Sequence, residues 1–111
     1  MNRRYRLSDK DRFRQVRQTG ASFVHPLLVL CVLPNEQEVS RCGFTVSRRI
    51  GKAVVRNRVR RRTREAVRLL WDLVAPGWDM VWVARAGIAE VEFDELQDIC
   101  ARLLRRARII T

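Results

Sequence analysis

The chain has 111 residues, with 23 Lys and Arg against 12 Asp and Glu, for a formal net charge of +11. That length is one domain, long enough to bury a core without staples. A hydrophobic fraction of 47%, with only five Gly and three Pro, excludes global disorder and collagen-like or low-complexity chains.

The charge excess points to a polyanion, with nucleic acid ahead of an anionic membrane surface. Only Lys10 and Lys52 are lysines, and every other basic residue is Arg. A guanidinium offers a planar donor fork that fits phosphate oxygens. The charge is also concentrated. Residues 41–68 hold eleven basic groups against Glu65 alone, while 1–40 carry a net +3 and 69–111 a net −2.

In chain order, Ser8 reads as an N-cap with Asp11 as its capping-box partner, opening a short helix over 9–18 that Gly20 ends. The apolar run Leu27 to Leu33, bounded by Pro26 and Pro34, suits a strand covered on both faces. Residues 34–40 read as a hairpin loop. Cys42, Phe44 and Val46 alternate with smaller residues, giving a strand over 41–47. Val55, Val59, Thr63, Ala66, Leu70 and Leu73 form one apolar stripe, so 52–74 reads as a helix stopped by Ala75-Pro76-Gly77. A strand follows over 80–86. A last helix over 93–107 has Asp94 and Glu95 near its positive end and Arg102, Arg105, Arg106 and Arg108 near its negative end. The simplest packing is a single α+β domain over 1–111, with helices against one sheet and the basic helix linking two of its strands.

Cys31, Cys42 and Cys100 are odd in number and widely spaced, which reads as buried free thiols in a reducing cytoplasm. The basic N-terminus lacks an apolar core, and Leu27–Leu33 is too short to cross a bilayer. The single His25 precedes Pro26 and reads as a loop residue. Glu90, Glu92, Asp94, Glu95 and Asp98 form the only acidic cluster. Helix-start electrostatics accounts for it more simply than a two-metal nuclease site.

Arg56, Arg60, Arg64 and Arg68 stand at i, i+4 spacing, which destabilises an isolated helix through like-charge repulsion. Arg58, Arg61 and Arg62 widen the patch, and Asn57 adds an amide. A solvated helix face would mix signs, but this one has a single Glu. That favours nucleic-acid contact.

The run Val46-Ser47-Arg48-Arg49-Ile50-Gly51-Lys52-Ala53-Val54, followed by Arg56-Asn57-Arg58, resembles the signature of the bacterial ribonuclease P protein subunit. The likeness extends to Arg6-Leu7, to Phe13 through Gly20, and to Val83-Ala84-Arg85. It implies an α-β sandwich similar to the second domain of ribosomal protein S5, mainly antiparallel, with about three helices and a left-handed βαβ crossover. It also implies that a partner RNA, with bound Mg2+, removes the 5′ leader of precursor tRNA, with one protein per catalytic RNA, no membrane partner and no catalytic group or metal site in the chain. Arg48, Arg49, Lys52, Arg56, Asn57, Arg58, Arg60, Arg61, Arg62 and Arg64 are then expected to bind RNA. The leader is expected in a cleft between the first helix and the sheet, beside Phe13, Arg17, Cys31, Phe44, Arg60 and Arg64. Arg17 and Cys31 depart from the family, which often carries aromatics there. A structural RNA-binding protein without a processing role, or a DNA binder, are the alternatives. No helix-turn-helix supports the latter.

Overall fold

Two long apolar segments alternate their side chains between opposite faces, and the fold follows from covering both. The computed structural model describes residues 1–111. Its strands are β1 (Ala21–Val24), β2 (Leu28–Pro34), β3 (Arg41–Thr45) and β4 (Trp78–Ala84). Its helices are α1 (Lys10–Thr19), α2 (Ala53–Arg68) and α3 (Phe93–Arg106). The sheet runs β1-β2-β4-β3. β1–β2 and β2–β4 are antiparallel and β3–β4 is parallel, so α2 is the crossover between two neighbouring parallel strands. This is the expected α+β architecture.

Leu28, Leu30, Val32, Cys42, Met80 and Trp82 face α2 and α3 in the main core, with Val46, Val59, Ala66, Val67, Leu96, Ile99, Leu103 and Leu104. The intervening residues Val29, Cys31 and Val81 face α1, where Val16 and Leu7 complete a smaller core. A strand covered on both faces must be apolar throughout, which explains the unbroken run in β2.

Several boundaries differ from the sequence reading. Asp9, not Ser8, caps α1: its carboxylate accepts from the Asp11 and Arg12 amides. An Asx cap one residue later competes successfully with the serine. Residues 35–40 are not a hairpin loop, because β4 lies between β2 and β3. The hairpin joins β1 and β2 instead, closed by paired backbone bonds between His25 and Leu28. There the His25 ring nitrogen Nδ1 accepts from the Leu27 amide. α2 ends at Arg68 rather than residue 74. Trp71–Leu73 is a 3-10 turn, and Leu73 is 62% exposed, outside the apolar stripe. The chain end folds back so that Ile109 and Ile110 are buried, and the Ile109 carbonyl accepts from Ala75.

Candidate nucleic-acid interface

The core-facing residues of α2 are Val59, Thr63, Ala66 and Val67. Thr63 satisfies its buried hydroxyl by donating to the Val59 carbonyl at 2.8 Å. From Arg56 onward the remaining circumference is mostly basic. Lys52, Asn57, Arg58, Arg61 and Arg68 are exposed, and Arg56, Arg60, Arg62 and Arg64 are half-buried. Glu65, the only acid, is held by a two-bond fork from Arg68 at 2.6 and 2.8 Å. That donor pair holds the Glu65 carboxyl below its ordinary range. No acid compensates the other arginines of the helix.

Three of them also bond within the protein or sit deep in it. Arg60 donates to the Asn57 side-chain oxygen at 3.0 Å, which leaves the Asn57 amide free to donate outward. Arg62 donates to the Val91 carbonyl at 2.6 Å and so partly anchors α2. Arg56 has its Nε buried without an acceptor. Arg58 and Arg61 have no such anchoring and present whole guanidinium forks to solvent.

The start of α2 deepens the positive field. Its first turn holds no acidic residue and no side chain caps it, so its unpaired amides and the positive dipole end face outward together. Arg48 and Arg49 lie just before it, exposed in the 3-10 turn Arg48–Ile50. Gly51, at φ 154°, joins the turn to the helix; a Cβ there would lie 3.1 Å from the Val55 side chain. The strain-free glycine therefore sets how the Arg48–Arg49 pair meets α2.

The expected cleft is only partly as the sequence suggested. Phe13 packs against Gly43 of β3, where an added Cβ would fall 2.5 Å from its ring. Phe44 points to the opposite face, toward α2, with the Arg64 guanidinium 5.7 Å from its ring centroid. It is therefore not on the α1 face, because period-two alternation places it with Cys42. Both side chains instead border one hollow of about 190 Å³ at the β3 edge, together with Gly43 and Arg64. Phe13 also borders a wider hollow of about 550 Å³ on α1, with Lys10, Arg14 and Arg17. Lys10 and Arg14 were missed from the sequence, although with Arg17 they share one face at steps of four and three. Arg60 lines neither hollow. Cys31 is 5% exposed in the α1-face core, its sulfur 3.6 Å from the Ser22 hydroxyl, and so packs rather than lining an open surface.

A further group fixes this geometry. The Asp79 side chain is fully buried, with Arg12 Nε and Arg41 Nη2 each 2.7 Å from Oδ2, and Arg41 Nε and Asn35 Nδ2 each 2.9 Å from Oδ1. Burial alone would raise its pKa. Hydrogen bonds from Arg41, Arg12 and Asn35 outweigh that and hold it below the ordinary carboxyl value. The cluster ties α1 to β3 and β4. The strand read over 80–86 excluded Asp79; β4 begins at Trp78 and so carries this acid into the sheet, where it must be paired to be buried.

The three cysteines are free and buried, as the sequence reading expected. Burial pushes the Cys42 thiol up to about 12 against the lowering influence of Arg64. No three His, Cys, Asp or Glu side chains converge on a point that would hold a metal ion.

The model of the family described as Ribonuclease P matches residues 1–108. The ribonuclease P protein component of Roseiflexus castenholzii is 50% identical, with 99% of this chain and 91% of the relative aligned. That of Chloroflexus aurantiacus is 49% identical, over 99% and 82% respectively. The RNase P protein of Thermotoga maritima superposes with a TM-score of 0.83 at 28% identity, covering 91% of this chain and 96% of that one. The RNase P protein of Staphylococcus aureus has the same fold, with a TM-score of 0.86, 24% identity and coverage of 96% and 98%.

Proposed function

The chain belongs to the ribonuclease P protein family, and from that premise we propose how its surface serves an RNA-cleaving complex. The exposed forks of Arg48, Arg49, Arg58 and Arg61, with Lys52 and the Asn57 amide, bind backbone phosphates of the catalytic RNA. Such contacts position a protein without reading sequence. Arg56, Arg60 and Arg62 reinforce them from half-buried positions. The unpaired 5′ leader of precursor tRNA crosses the β3 edge, where bases stack on Phe13 and Phe44 and phosphates meet Arg64, Arg17, Lys10 and Arg14. Single-stranded RNA is held in this way by aromatic rings along a basic groove.

The observation that carries the reading is the unneutralised arginine surface of α2 lying next to an aromatic hollow. A surface built only for solubility would not place both together. The chain contributes binding and orientation. We assign hydrolysis of the phosphodiester, and the magnesium it needs, to the RNA. One protein per catalytic RNA, working in the cytoplasm, completes the proposal. No helix is long and apolar enough to cross a membrane.

Reconstitution with the cognate catalytic RNA tests it. Folded protein is expected to stimulate leader removal from precursor tRNA at low magnesium and to favour precursor over mature tRNA. Absence of stimulation, or equal binding of duplex DNA, would refute it.

A further inference from the structure

Beyond the β3 edge, a second aromatic surface lies outside every residue assigned above. Tyr5, in the 3-10 turn Arg3–Tyr5, and Trp71, in the turn after α2, bring their rings to 5.4 Å at a 49° tilt. With Met1, Asn2, Arg68 and Asp72 they line a hollow of about 390 Å³. The Arg4 guanidinium lies 5.4 Å from the Tyr5 ring centroid.

Three features make this a seat for RNA rather than ordinary packing. Trp71 is only half-buried. It packs partly against the main core and against Tyr5, and the part of the indole still open to water is left for stacking. The local charge is positive: Arg3, Arg4, Arg6 and Arg68 outnumber Glu65 and Asp72. Most tellingly, the hollow adjoins the Phe13–Phe44–Arg64 hollow, because Met1 lines both. Met1 is fixed there, with its sulfur 3.5 Å from that of Cys42. The Arg6–Cys42 bridge and the Leu7 amide, which donates to the Cys42 carbonyl, bind this N-terminal segment along β3.

We propose that Trp71, buttressed by Tyr5, stacks an unpaired base of the 5′ leader beyond the nucleotides held at Phe13 and Phe44. This inference rests on the leader reading above and extends it. The route runs from the α1 face, around the β3 edge at Arg64, and across Met1 to the end of α2 at Arg68. An aromatic ring and a basic group recur together along it. Such a track holds single-stranded RNA without choosing its sequence.

The test uses reconstituted holoenzyme and two precursor tRNAs. One has a leader that ends at the Phe13–Phe44 hollow, and the other is longer by a few nucleotides. The wild type is expected to bind the longer leader more tightly. Trp71→Leu keeps apolar volume but removes the ring. It should abolish that gain, a loss of roughly 5- to 150-fold for one base–aromatic stack, with little change for the short leader. Trp71→Phe should restore part of it. Tyr5→Leu, in the less tightly packed N-terminal segment, gives the same readout if Trp71→Leu folds poorly. Equal weakening of both leaders, or weaker assembly with the catalytic RNA alone, would overturn the inference, because Trp71 would then act elsewhere. Unchanged length dependence in both Trp71→Leu and Tyr5→Leu would overturn it too. Phe13→Leu in the same assay separates the two ideas. If Phe13→Leu weakens the short leader and Trp71→Leu does nothing, only the extension fails. If Phe13→Leu is silent as well, the leader reading itself fails.

Discussion

Replacing Asp79 with Asn removes one charge from a buried cluster while keeping its shape. The carboxylate accepts four hydrogen bonds at 2.7–2.9 Å, three from arginines. An amide turns one acceptor oxygen into a donor facing donors, so at least one oxygen's bonds are lost and two guanidinium groups lose their counter-charge. Removing one partner of a fully buried ion pair costs about 3–5 kcal/mol. Arg12 and Arg41 are 21% and 24% exposed and recover some hydration, so the lower end, about 3 kcal/mol, is the appropriate magnitude. An unfolding entropy of about 2.1 cal/mol/K per residue gives this chain about 0.23 kcal/mol/K, and a fall in Tm of about 13 °C. Thermal melts followed by circular dichroism at pH 7 measure it. The effect should also depend on pH. The folded-state carboxyl is held low, so its stabilisation is fully present above the unfolded value near ~4 and is lost as pH falls through the folded value. The wild-type and Asp79→Asn melting curves should therefore converge in acid. A Tm loss below about 4 °C, equivalent to 1 kcal/mol, or a gap that persists unchanged at low pH, would refute the assignment of Asp79 as the electrostatic tie between α1 and the sheet.

Arg58→Ala should weaken binding to the catalytic RNA yet leave Tm within about 2 °C, because its side chain meets no protein acceptor. Arg62→Ala should weaken binding and also lower Tm by about 4 °C, the value of its lost bond to the Val91 carbonyl, which a paired melt and filter-binding measurement would resolve. Gly43→Ala forces the Phe13 ring off β3 and should cost about 1–3 kcal/mol in denaturant unfolding, with a parallel loss of leader affinity. If the basic surface neutralises roughly six to ten phosphates, RNA affinity should drop about 10³–10⁵-fold between about 50 and 200 mM salt, and a flat titration would place the contact elsewhere.

What the sequence made legible was local. The stripe Val59–Thr63–Ala66 located α2, and alternation in β3 correctly grouped Cys42, Phe44 and Val46 on one face. What it left hidden was the identity of each face's partner. Phe13 and Phe44 looked like neighbours in one cleft, but only the placement of α1 and α2 on opposite sides of the sheet shows that they approach one hollow from opposite faces. The insertion of β4 between β2 and β3 is likewise non-local, so 34–40 resembled a hairpin loop. β1 carried little signal because it is a four-residue edge strand with three exposed positions. Asp79 fell just outside the strand read over 80–86 and was not singled out, and its donors come from α1, β3 and the loop at Asn35, none of which periodicity can bring together. The Tyr5–Trp71 pair spans nearly the whole distance from the N-terminus to the end of α2 and left no trace in spacing.

The central position of β4 has a consequence for synthesis. As the chain leaves the ribosome, β1 and β2 can close their hairpin at once, but until residues 78–84 emerge β3 has no partner strand, only the short bridge from Arg6 and Leu7. Until then α2 also lacks the sheet and the α3 surface that bury its apolar stripe, and pairing that is non-local in sequence forms late. The nascent protein therefore exposes its arginine-rich segment as an incompletely folded polycation, in a setting dense with ribosomal RNA. Folding of β4 and α3 would then have to draw that segment away from the wrong RNA and shape it for the right one.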